Sequence, residues 1–109
     1  MVTAELAVAV PVIVVVLGLG LSAIRLGIDE VRCVDAARLA ARALARGDSE
    51  PSARALAVSA GPPGASVVVA STGAEVSAMV SASRDLAGWR MVTVRGSATA
   101  AKESTEEPP

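Results

Sequence analysis

One carboxylate, Glu5, stands directly before nineteen residues, Leu6 to Ile24, that carry no charge. An ionised carboxyl at the edge of a hydrocarbon-length segment is costly unless something neutralises it, so Glu5 is the residue whose placement most needs a reason. The other chemically capable group is Cys33, the only thiol. A lone cysteine forms no internal disulfide and no cysteine metal site, and without histidine it has no Cys–His partner. It is expected to be a small buried apolar side chain; the alternative is an intermolecular bridge. No base, metal cluster or nucleophile pair is found along the chain, so no catalytic, cofactor or metal site is expected and the protein is not expected to be an enzyme.

Composition narrows the class further. The chain has 109 residues, 52% of them apolar, with a net charge of -1; Trp89 is the only aromatic residue. That allows one small domain and one hydrophobic segment. Of the ten basic residues only Lys102 is lysine, and without Glu5 the remaining chain balances ten acids against ten bases. A nucleic-acid footprint is not indicated.

The elements that would position Glu5 and Cys33 follow from periodicity. As a helix, Leu6 to Ile24 spans roughly 28 Å, close to the ~30 Å hydrocarbon core of a bilayer. A signal peptide would want a basic start, a shorter apolar core and a small-x-small cleavage site. The sequence offers only Leu21-Ser22-Ala23 and has no Lys or Arg before Arg25. A buried core helix is the other reading, but a domain this small has no interior to surround it. Membrane orientation normally depends on cytoplasmic positive charge, so a basic leader upstream of Met1 is expected. Pro11 removes a helical hydrogen bond to Ala7 and invites a kink, which membrane helices tolerate. Gly20, Ala23 and Gly27 share one face at spacings of 3 and 4 and permit close approach of another helix.

From Arg25 the helical period continues as an amphipathic stretch. Arg25, Asp29, Arg32, Asp35, Arg38, Arg42 and Arg46 form a charged stripe, whose alternating first members are expected to pair along the helix at a few tenths of a kcal/mol each. Ile24, Ile28, Val31, Val34, Ala37, Ala41 and Leu44 make the opposite, apolar face, and Gly47 is a plausible C-cap. The helix is therefore expected over about residues 3–46. After it, DSEPSARALAVSAGPPG predicts a short helix with Pro51 in its first turn and Leu56 on its inner face. Three strands follow: Ser66 to Ala70, a second alternating Val76, Ala78 and Val80 against Ser77, Met79 and Ser81, and a third with Val92 and Val94 on one face. Asp85 to Gly88 are expected to turn the chain between the last two.

The fold class is thus α+β: a long N-terminal transmembrane or pilin-like helix, a short second helix, and a small three-stranded antiparallel sheet on the C-terminal half of the long helix. The regions are 1–24, a hydrophobic membrane segment; 25–47, its amphipathic continuation; 48–101, a small external domain; and 102–109, a polar, Pro-ended tail expected to be disordered.

The opening MVTAELAVAVP and the segment RCVDAARLAARALARG (Arg32 to Gly47), followed by a Gly/Pro break and valine strands, resemble the TadE-like minor pilins of tight-adherence systems in high-GC Gram-positive bacteria. The resemblance covers most of the chain to about Ala100. It implies processing by a prepilin peptidase after an upstream glycine, which leaves Met1 as the new N-terminus and Glu5 at the fifth place. It also implies a minor pilin or pseudopilin of a type IV pilus or secretion system. Such a subunit sits single-pass in the cytoplasmic membrane with its C-terminal domain outside, or in a cell-surface pilus. Met1, Glu5 and Pro11 would serve assembly, and other pilin subunits, inner-membrane assembly machinery and membrane lipid would be the partners. The α-amine of one subunit would pair with the Glu5 carboxylate. The alternative is a single-pass membrane accessory protein whose external domain binds a partner and never enters a filament.

Overall fold

The structure is a computed structural model that describes residues 2–86 and 90–102. Met1, Trp89 and residues 103–109 of the expected tail lie outside the described residues. The elements are α1 (Val2–Ala45), α2 (Glu50–Ala60), β1 (Ser66–Thr72), β2 (Glu75–Leu86) and β3 (Arg90–Ala101). The strands form one antiparallel sheet in the order β1-β2-β3. This is the α+β arrangement anticipated from the sequence, with the sheet packed on the C-terminal half of α1.

α1 runs unbroken across Pro11 for 44 residues, roughly 66 Å at ~1.5 Å per residue. It ends in a Schellman cap. Gly47 adopts φ +98°, the amide of Gly47 donates to the Leu44 carbonyl and that of Asp48 to the Ala43 carbonyl, so two carbonyls without helical partners are satisfied. α2 is capped by Ser49, whose hydroxyl accepts from the Ser52 amide at 3.3 Å, with Pro51 in its first turn.

The core is built from small side chains. Cys33, Ala36, Ala37, Ala40, Ala41, Ala43 and Leu44 of α1 meet Ala53 and Ala57 of α2 and Val76, Ala78, Val80, Ala82 and Val94 of the sheet. With no aromatic in this cluster, close approach of backbones replaces bulk as the means of filling space. Gly96 shows how close: a Cβ built there would meet the backbone nitrogen of Val34 and lie 2.6 Å from the Cys33 carbonyl carbon. Opposite Gly96 in the register stands Val80, which is fully buried.

Several sequence expectations are corrected. Of the anticipated apolar face, Ala37, Ala41 and Leu44 are buried and Val34 is half-buried, whereas Ile24, Ile28 and Val31 are exposed. The covered face is instead marked by Leu26, Cys33, Ala36, Ala37, Ala40 and Leu44, because an Ala-rich stripe lets the sheet sit closer than a branched one. Leu56 is exposed, and Ala53 and Ala57 form the inner face of α2. Asp85 and Leu86 do not turn the chain; they extend β2 and pair with Met91 and Arg90, and residues 87–88 of that expected turn lie outside the described residues. Lys102, assigned to the tail, is tied back by its amide to the Ala74 carbonyl at 2.7 Å.

Candidate functional site

Two surfaces of α1 could carry function. The first is its N-terminal half. From Val2 to Leu21 every described residue is exposed, and the most apolar 18-residue window has a mean hydropathy of 2.7 with none of it buried. Leu17 and Leu21 are about 60% exposed, part of a contiguous apolar surface of the kind that marks a membrane or protein contact. The helix is long and apolar enough to cross a membrane. The domain covers α1 only from Ser22 and Leu26 onward.

The residues singled out in this half do not converge. Glu5 lies exposed in the first turn of α1, and Met1, its expected neighbour in assembly, is outside the described residues. Pro11 is exposed within the helix. Gly20, Ala23 and Gly27 are exposed too, and a Cβ added at Gly20 or Gly27 would meet nothing within 4 Å. They leave one side of α1 open to a close neighbour, and within the described chain none touches it.

The second surface is a groove of about 580 Å³ where the domain first meets the helix. Arg25, Asp29 and Arg32 of α1 line one side, and Pro63, Arg84 and Asp85 the other. Its organising contact is Arg84. The guanidinium Nε donates to Asp29 Oδ2 at 3.0 Å, Nη2 to the Pro63 carbonyl at 2.7 Å and Nη1 to the Ser83 carbonyl at 3.2 Å. One side chain thereby ties α1, the α2–β1 connection and β2 together. Asp29 keeps only 14% of its side chain exposed, so this charge-assisted contact is stronger than a solvated pair.

This contact replaces the pairing expected along the helix: Asp29 bonds Arg84 rather than Arg25 or Arg32, and no ion pair joins the stripe's first five members to one another among the described residues. The signal for Arg84 lay in the strand alternation. Val76, Ala78, Val80 and Ala82 point to the core, and Arg84 is next in that inward register, where a charge requires a partner.

Cys33 is fully buried and free, as the apolar reading anticipated. Burial pushes its thiol above the ordinary value of 9.0; Asp29 and Glu30 add to the rise, and Arg84 opposes it. A protonated thiol in a closed core is neither nucleophile nor ligand. No protein-family model matches the chain, and no curated protein or solved structure does.

Proposed function

We propose that this protein is a minor pilin or pseudopilin subunit of a tight-adherence type IV pilus or secretion system, held in the membrane by α1 and assembled through it. The observation that carries the reading is the projection of α1. Its uncharged half extends past a domain that packs only on the other half, and a single carboxylate lies in its first turn. A plain anchor needs only a span; an additional acid at its edge acquires a purpose when a neighbouring subunit supplies a cation. Gly20, Ala23 and Gly27, open on one side, suit close helix packing in such an assembly. Prepilin peptidase, other pilin subunits and the inner-membrane assembly machinery are the corresponding partners, and the domain lies outside the cytoplasmic membrane.

Intact mass and N-terminal sequencing of protein from membranes and from sheared surface material test this. A chain starting at Met1 in both fractions, with a longer precursor in a strain lacking the peptidase, is the expected result. Protein confined to membranes, with the same N-terminus in both strains, would instead indicate a single-pass accessory protein.

A further inference from the structure

We propose that the groove between α1 and the C-terminal end of β2 is a binding site for the phosphodiester headgroup of an anionic phospholipid, with Arg25 and Arg32 as its ligands. The proposal rests on α1 spanning a membrane, but not on the protein entering a pilus. Its starting point is the partner taken by Asp29. By spacing, Asp29 stands one turn from both Arg25 and Arg32, yet its carboxylate receives Arg84. That leaves both helix arginines exposed and without an ion pair among the described residues. Seven residues apart, they lie on one side of α1 about 10.5 Å from each other along the axis, flanking the groove that both line.

The depth fits a headgroup. Arg25 is the first charged residue after the uncharged run that ends at Ile24. The polar layer of a bilayer is about 5–8 Å thick on each side of the hydrocarbon. At about 1.5 Å per residue, Arg25 to Asp29 fall within it, and Arg32, about 12 Å past Ile24, lies about 4 Å beyond its outer limit on a side chain that a helix tilts back towards its N-terminus. The groove walls suit the same occupant. Leu26 and Ile28 supply apolar lining between the two arginines along α1, and Pro63 lies across from them. Among the groove's charged residues, three arginines outnumber Asp29 and Asp85, so the site carries a net charge of one positive unit. Because Arg84 is already committed to Asp29 and two carbonyls, it fixes the wall, and the two helix arginines bind.

The test uses the full chain. Flotation with phosphatidylcholine vesicles first establishes insertion. Native mass spectrometry of the protein in zwitterionic micelles then compares retention of phosphatidylglycerol, phosphatidylcholine and inorganic phosphate. The wild type is expected to retain phosphatidylglycerol preferentially. Since one arginine near an anionic surface is worth about a fivefold change in partition, Arg25→Gln with Arg32→Gln should lower that retention about 25-fold. Arg38→Gln with Arg42→Gln, the same charge change on exposed residues outside the groove, should leave it unchanged. The proposal is overturned by equal loss in both double variants, by phosphate binding as well as the lipid, or by dimerisation that displaces the lipid and gives the groove to a second copy. Failure to float would remove the membrane premise as well, whereas flotation without phosphatidylglycerol preference would sink the headgroup site alone.

Discussion

Replacing Gly96 by alanine would place a methyl group where the backbone of Cys33 and Val34 already stands. The obstacle is main chain, so no rotamer change relieves it, and Gly96→Ala is expected to cost about 3 kcal/mol, read as a lower urea midpoint with unchanged slope. The Asp29–Arg84 contact is partly open to solvent, with 31% of the arginine side chain exposed. A double-mutant cycle with Asp29→Asn and Arg84→Gln should therefore return a coupling of about 1 kcal/mol, reduced by salt. Cys33 has its thiol pKa raised in the fold. In the unfolded chain it ionises first as pH rises, so its contribution to stability is full below the ordinary 9.0 and is lost as pH climbs from there towards the folded value. Denaturant melts across that alkaline window should show the decline, and Cys33→Ala should remove this part of it. At Glu5 the pilin reading makes its own demand. Glu5→Ala should leave membrane insertion intact and reduce incorporation into filaments, because an ion partner buried in the assembly would be left alone; wild-type incorporation would defeat that role.

At the scale of elements, the sheet is amphipathic with unusually small inward residues. Val80 is fully buried while Val68, on the outer face of β1, is 62% exposed. Val80→Ala should cost about 2 kcal/mol and Val68→Ala close to nothing, a contrast that thermal unfolding of the two variants would measure. The α1 helix obeys two rules along its length. From Leu6 to Ile24 it is uncharged on all sides, the pattern that a membrane-crossing segment would need. Beyond Arg25 it is polar on one side and alanine-rich on the other, as a helix under a sheet must be. The change occurs at the depth where Ser22 and Leu26 first become half-buried.

For the whole molecule, these two environments separate into an elongated body of 86 × 20 × 19 Å. The buried cluster begins at Cys33, with Leu26 packed against it, so the apolar half of α1 adds nothing to the core. A chain beginning at Arg25 should therefore remain folded and lose membrane association, checked by circular dichroism melting and vesicle flotation. Its margin will be small, since a domain of this size buries only about 60% of its unfolded surface. Unfolding of the truncated chain at room temperature would show that the apolar half stabilises the domain after all.

The sequence by itself determined the order and type of the elements, the uncharged length of α1, the cap at Gly47 and the inward set Val76, Ala78 and Val80. Each follows from local chemistry: periodicity, absence of charge, or a backbone conformation only glycine adopts readily. The groove is not legible in that way, since the sequence offers Arg25 and Arg32 only as members of a charged stripe along α1. Arg25 and Arg32 read as partners of Asp29 because spacing reports only neighbours on the same helix. Arg84 is 55 residues from Asp29, and only the packing of β2 on α1 brings it within reach. The same limit applied to the buried face of α1, where branched Ile24, Ile28 and Val31 looked more core-like than alanine. Which stripe is covered depends on how closely a sheet can approach, and that distance is set by Gly96 against Cys33 and Val34, a contact that exists only once the chain has folded.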